Sequence, residues 1–253
     1  MIAVILFGLL FGSFLNVVIY RLPIGKSIVW PGSYCPACNT PIPFYDNVPV
    51  LSFALLAGKC RNCRQTISWR YPLVELLTAV CLALLHIKYG FSGKFFVYSA
   101  LVLLLIPISF IDLDTKLILN KLTIPGFILG FALVLIFQVE TWYHILLGAL
   151  SGGIIIWFVG FLGKLLFRKE SMGMGDVKLL VMIGVYVGFP DVAICLFFSV
   201  LIAGFFIICG LAIKKLKLGQ TIPFGPFVAL GTLVYLISGN YILDWYLSLF
   251  FHP

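Results

Sequence analysis

Apolar residues run along this chain in long unbroken stretches, and polar residues gather at the breaks between them. Reading the stretches against turn residues and charges gives eight helices, at roughly 2–20, 72–89, 95–111, 122–139, 144–164, 177–190, 191–213 and 224–242. A helix needs about 20 mostly apolar residues to cross the hydrocarbon layer of a bilayer. Strand-like alternation of apolar and polar positions is absent, which argues against a barrel. The expected fold class is therefore all-α, a polytopic membrane protein with about eight transmembrane helices. The sixth stretch is short and is expected to borrow Gly173–Asp176 or to tilt little. The first, "MIAVILFGLLFGSFLNVVIYRLP", has no basic segment ahead of it and no small-residue cleavage site after it. It reads as a retained helix and not as a signal peptide.

Composition makes the membrane reading firm. The chain has 253 residues, 62% hydrophobic and only 10% charged, against about 45–50% and about 25% in soluble domains. No polar stretch is long enough for a large soluble domain. The sequence divides into a first transmembrane helix (1–20), a cytoplasmic cysteine loop (21–71) and a transmembrane core (72–253). With eight spans, the links after the first, third, fifth and seventh lie on one side. Those links and their margins hold all 17 Lys and Arg residues except Lys88 and Lys94. The positive-inside rule makes that side cytoplasmic and puts both termini outside. The net charge of +8 then follows from topology. No nucleic-acid partner is expected, since basic and aromatic residues do not interleave; the apolar exterior takes membrane lipid.

The 21–71 loop carries "CPAC" (Cys35, Cys38) and "KCRNC" (Cys60, Cys63), with 21 residues between the pairs. Four thiolates at this spacing suit one tetrahedral Zn²⁺, each CxxC turn presenting two sulfurs. Lys59, Arg61 and Arg64 are placed to offset the negative Zn(Cys)4 centre. Disulfides and a redox dithiol are the competing readings, the first disfavoured by a reducing compartment. A structural metal would fold a loop too short and polar to make its own core. Cys81, Cys195 and Cys209 sit in apolar stretches and read as packing residues.

Most of the nine acids have ordinary places. Asp46 lies in the cysteine loop, Glu170 in a basic loop beside Arg168 and Lys169, and Glu140, Asp191 and Asp244 in or near outer loops. Glu75, Asp112, Asp114 and Asp176 stand at or inside membrane boundaries, where an ionisable group is a functional candidate. Asp112 ends the third stretch and Asp176 opens the sixth, so a topology fixed by Lys and Arg brings both to one side at similar depth. Two adjacent carboxylates share a proton and split their pKa values. The ionised one can then deprotonate a water while the protonated one hydrogen-bonds a scissile carbonyl. Gly173 and Gly175 would let a substrate backbone approach Asp176 closely. Two other readings stand beside this one. The acids can be unrelated interfacial carboxylates paired with Lys116 and Lys178, and Asp114 can replace Asp112, since neighbours two apart on a helix point in different directions.

Over nearly its whole length the chain resembles the bacterial type IV prepilin peptidases, membrane aspartyl proteases of the GxGD type. The resemblance rests on "FGSFLNVVIYRLP" (11–23), "CPAC" (35–38), "NVPVLSFALLAGKCRNC" (47–63), "ISWRYPLVELL" (67–77), "IDLDTKLILN" (111–120), "GMGDVKLL" (173–180) and "IPFGPFVALG" (222–231) together. It implies catalytic aspartates at Asp112 and Asp176, with Gly173 and Gly175 in the active-site loop. One departure is local: Leu119-Asn120 stands where the family has Pro-Asp or Pro-Asn. The resemblance further implies cleavage of the basic leader of prepilins and pseudopilins at the cytoplasmic face of the inner membrane. It also implies N-methylation of the new terminus from S-adenosylmethionine, with Glu75 as the methylation candidate. Glu75 equally reads as a first-turn helix acid after Pro72. No glycine-rich dinucleotide fingerprint is present, so a donor site has to be built from the cytoplasmic loop and helix ends.

Elsewhere Gly12, Ser13 and Asn16 suggest close interhelical packing. His86, His144 and His252 are too scattered for a metal site, and "IPFGPF" reads as a rigid entry into the last helix. Three other functions compete. A cation transporter would place acids in mid-membrane; a zinc-loop scaffold of a pilus or secretion machine would need no dyad; a peptidase without methyltransferase activity would leave mature pilin unmethylated.

Overall fold

The computed structural model describes residues 1–167, 173–217 and 220–250, and helices account for nearly all regular structure among them. They are α1 (Ile2–Arg21), α2 (Leu51–Leu55), α3 (Arg70–Tyr89), α4 (Gly93–Thr115), α5 (Asn120–Ile136), α6 (Trp142–Phe167), α7 (Met174–Val187), α8 (Asp191–Ala212) and α9 (Gly225–Phe250). Among the described residues the extended pairing consists of two isolated bridges, Tyr34 with Pro41 and Lys59 with Thr66. The all-α expectation holds, and each of the eight apolar stretches has become a helix. The count of eight spans is not confirmed. Among the described residues, five helices, α1, α3, α4, α6 and α8, are long and apolar enough to cross a membrane. The expected surroundings of Glu170, Arg168, Lys169 and His252 lie outside the described residues.

The chain forms two compact units, Met1–Gly90 and Phe91–Pro253. In the first, α1 packs along α3 through glycines at the crossing. A Cβ on Gly12 would stand 2.6 Å from the Glu75 Cα, so the helices approach backbone to backbone, as small residues permit in membranes. Asn16 fastens the pair by donating to Tyr71 O at 3.1 Å. At the end of α1 the buried Arg21 donates to Ser27 O, Pro31 O and Gly32 O at 3.2, 2.6 and 2.9 Å. An Arg at the end of an apolar helix thereby becomes the anchor of the loop that follows.

In the second unit α7 is central, touching α4, α5, α6 and α8. Leu179, Leu180 and every residue from Met182 to Val187 are buried. At 14 residues it rises about 21 Å, short of a span, and an apolar helix of that length suits an encased core position. It begins at Met174, so it does take up the residues before the sixth apolar stretch. Close approach again uses glycine: a Cβ on Gly184 would collide with Gly148 O, and one on Gly152 would lie 2.6 Å from Leu180 O. On α5, Gly130 receives the Tyr186 ring, whose hydroxyl donates to Gly126 O at 2.9 Å. Overpacking such a contact costs about 1–3 kcal/mol or more. Gly184→Val is expected to lower the melting temperature in detergent by several degrees; Gly204→Val, at a position with open space, serves as the control.

Outward, α8 exposes Phe197, Phe205 and Ile208, as a lipid-facing helix does.

Candidate functional site

Two constellations stand out, one in each unit. In the first unit the two CxxC turns are built alike. Cys35 N donates to Thr40 O at 3.0 Å and Asn39 N to Cys35 O at 2.8 Å; 25 positions on, Cys60 N donates to Gln65 O and Arg64 N to Cys60 O, at 2.8 and 3.0 Å. Asn39 and Arg64 both take positive φ, 55° and 58°, which turns the chain sharply after the second cysteine. The Sγ atoms of Cys35, Cys38, Cys60 and Cys63 all lie within 4.8 Å of one another, and Cys35 and Cys63 are 3.8 Å apart. Sulfurs at 2.3 Å from a tetrahedral Zn²⁺ are about 3.8 Å apart, so the four fit a single ion.

Hydrogen bonds from Thr40 bring the Cys38 thiol down to about 6, and backbone N–H groups of Cys63 and Asn62 lower Cys60 as well. Both shifts favour the thiolates that bind metal, whereas burial and the neighbouring sulfurs push Cys63 up to about 11. Arg61 departs from its expected part. It forms a two-pronged ion pair with Asp46, at 2.7 and 2.6 Å, which holds the Asp46 carboxyl below its usual range. Its charge ties the Phe44–Asp46 turn to the second cysteine turn.

Beneath these turns is a cavity of about 780 Å³ lined by the loop, α1 and the start of α3, with Glu75 in its wall. Glu75 is 7% exposed, and its Oε2 accepts the Val50 N–H at 2.8 Å. Val50 has φ 62° and ψ −47°, and Leu51 N donates across it to Pro49 O at 2.6 Å. This is a γ-turn of the rare positive-φ kind, and a β-branched residue there is a true outlier.

The second unit holds the aspartates. Asp112, on the last turns of α4, is 5% exposed, while Asp114 faces outward. The Asp112 Oδ2 accepts the Gly225 N–H at 2.9 Å, so the first residue of α9 caps a carboxylate from another helix. Gly225 has to be glycine for this, because a Cβ would sit 2.8 Å from the same oxygen. Asp176, in the first turn of α7, accepts the Gly173 N–H at 3.3 Å. The helices that carry the two aspartates, α4 and α7, touch each other.

The lysines offered as their ion-pair partners are engaged elsewhere. Lys116 Nζ donates to Thr221 Oγ1 at 2.8 Å and Lys178 Nζ to Asn120 Oδ1 at 3.0 Å. Leu119, in the place of the family proline, takes φ −76° and ψ 128°, a conformation proline also adopts, so the turn into α5 survives the replacement. Gly175 lies with its Cα against Ile118, which accounts for its lack of a side chain by packing.

Sequence reasoning missed three residues: Arg21 as loop anchor, Val50 as the turn facing Glu75, and Gly225 as the Asp112 donor. For Gly225 a signal was present, a glycine between Phe224 and Pro226 at a helix start. For Val50 there was none, because nothing in the residue type announces positive φ.

Comparison with known proteins agrees in both halves. The profile of the bacterial peptidase A24 N-terminal domain matches residues 6–89 and that of the type IV leader peptidase family matches residues 99–208. The chain is 36% identical to a prepilin leader peptidase/N-methyltransferase of Aeromonas salmonicida, over 97% of this chain and 93% of the relative. Proteins of the same name from Neisseria gonorrhoeae and Pseudomonas aeruginosa are 33% and 34% identical, over 97% and 96% of this chain and 93% and 92% of theirs. No solved structure matches the chain.

Proposed function

The chain belongs to the bacterial type IV leader peptidase family, and we propose that Asp112 and Asp176 form its hydrolytic dyad, acting on type IV prepilins and pseudopilins at the cytoplasmic face of the inner membrane. One observation carries the assignment. The helices that carry the two carboxylates, α4 and α7, touch each other, and each carboxylate accepts a backbone N–H while the neighbouring lysines bond elsewhere.

A shared proton gives the pair its chemistry. The ionised carboxylate takes a proton from water as the water attacks the scissile carbonyl, and the protonated partner hydrogen-bonds the carbonyl oxygen. Collapse of the tetrahedral species expels the amine, which takes a proton from the dyad. Gly173 is exposed beside Asp176 and leaves room for an extended substrate backbone. The apolar helix of a prepilin can stay in lipid while its polar leader lies at the helix ends.

After cleavage the new N-terminus is methylated. S-adenosylmethionine supplies the methyl group: the amine lone pair forms the new C–N bond, the C–S electrons return to sulfur, and a proton leaves nitrogen. Glu75 serves this second step by orienting the reactants.

The direct test incubates the purified protein with a type IV prepilin and S-adenosylmethionine and reads the product by mass spectrometry. Loss of the leader with an added methyl is expected; an intact precursor would overturn the reading, and a trimmed but unmethylated product would reduce it to a peptidase.

The four cysteines are assigned to one structural Zn²⁺. Metal analysis is expected to find about one zinc per chain. Chelation is expected to open the 27–69 loop to protease, with α3 to α9 left protected. A loop equally resistant with and without zinc would show that the metal does not fold it.

A further inference from the structure

Between Asp46 and Lys59 the chain carries no charged residue, and most of positions 47–58 are apolar. The stretch includes α2, which turns an apolar face outward: Leu51 is 62% exposed and Leu55 85%. Positions four apart lie on the same side of a helix, so the two leucines form one ridge. Trp69, 78% exposed, extends the surface, since its ring packs on that of Phe53 from α2 at 4.8 Å between centroids. A contiguous apolar patch of this kind marks a surface that a partner or a membrane covers.

Two observations identify the cover. One is depth. With 20 residues, α3 rises about 30 Å, the thickness of the hydrocarbon layer. Val50, which opens α2, donates its N–H to Glu75. Glu75 stands five positions into α3, about 7 Å along the axis from its first residue. Hence α2 starts beside the second turn of a membrane-crossing helix, not above it. The other observation is continuity. Trp69, Leu73, Leu76 and Val80 are all exposed and follow one flank of α3 at helical spacing, as residues against lipid do. Through Trp69 and Phe53 the outer face of α2 joins this flank at its loop end.

We propose that α2 lies within the bilayer surface, with Leu51 and Leu55 in the acyl chains of the loop-side leaflet and Lys59 at the level of lipid phosphate. A depth of about 7 Å falls within the range of about 5–10 Å for interfacial helices. Trp69 then occupies the edge of the hydrocarbon, where aromatic residues gather in membrane proteins. The Lys59 N–H closes the turn after α2 on Leu56 O at 3.1 Å. Its side chain is exposed and long enough to carry the ammonium outward along an apolar stem. Segment 47–58 is thus set apart from the aqueous part of the loop. Val50, Ser52, Phe53 and Leu56 line the large cavity, so α2 is the partition between that cavity and the leaflet.

Photo-crosslinking in a bilayer is the test. Benzoylphenylalanine replaces Leu55, Leu51, Leu73 or Gln65 singly in the full-length protein. Each variant is illuminated in vesicles of phosphatidylethanolamine and phosphatidylglycerol and weighed by mass spectrometry. Leu73, on the outer flank of α3, calibrates a probe in acyl chains, and Gln65, exposed beside the second cysteine turn, calibrates one in water. Positions 55 and 51 are expected to gain the mass of a phospholipid at a yield like that of position 73, and position 65 to gain none. Both leucines are exposed, so the replacements leave packing intact and each position checks the other. Lipid adducts at 73 but at neither 55 nor 51 overturn the proposal. Crosslinking of 55 and 51 to a second copy of the chain or to an added prepilin, in place of lipid, also overturns it and makes α2 a protein-docking surface. An equal lipid yield at position 65 overturns it as well.

Discussion

Asparagine at position 112 or at position 176 is expected to reduce leader removal by roughly 10²–10⁴-fold, the scale of one general acid or base. Asparagine keeps the size of aspartate and can still accept the Gly225 or Gly173 N–H. It cannot ionise to take a proton from water, nor pass a proton to the leaving amine. Each single variant should therefore fold and fail. The double variant should be little worse than either single one, because the carboxylates act as one proton-sharing unit. Asp114→Asn is the control: its side chain is exposed on the same turn of α4, and cleavage within about threefold of wild type is expected. Co-expression with a prepilin, followed by blotting the ratio of precursor to mature chain, measures all four. A variant at 112 or 176 that processes precursor at the normal rate would falsify the dyad.

Nearly as large an effect is expected from a residue that carries no functional group. Alanine at position 225 would put a methyl 2.8 Å from the Asp112 Oδ2, inside van der Waals contact, and the carboxylate has to move away. Displacement of a reacting group by about 1 Å costs about 10²-fold in rate. The loss should fall on kcat and leave KM within about threefold, since Gly225 is buried and its bond is to Asp112. Gly231→Ala, on the same helix but against Ser199, should lower the yield of folded protein and leave kcat per folded molecule nearly unchanged. If both variants lose only folded protein, Gly225 serves packing alone. Lys116 supports the same segment by bonding Thr221, so Lys116→Met is expected to lower kcat severalfold in the same direction.

The helices were legible because they follow from a coarse quantity, namely apolar run length. The CxxC turns were legible for a related reason, since ligand spacing is local. What escaped was non-local or conformational. Arg21 was counted as a topological charge, and only folding shows that three carbonyls of the next segment converge on it. Arg61 was assigned to the metal centre on proximity in sequence, whereas Asp46, 15 positions earlier, claims it in space. The encased position of α7 was hidden as well, because an apolar stretch in lipid and one surrounded by other helices have the same composition.

That encasement governs how Asp176 can be approached. With α4, α5, α6 and α8 around it, α7 has little flank to offer annular lipid or a passing membrane partner, and the packed glycines leave no slack for sliding along its axis. Compounds directed at Asp176 must therefore arrive end-on, past the exposed Gly173. A peptidomimetic that threads past that glycine as an extended chain should succeed where lipophilic compounds that partition into the bilayer and press on helix sides do not.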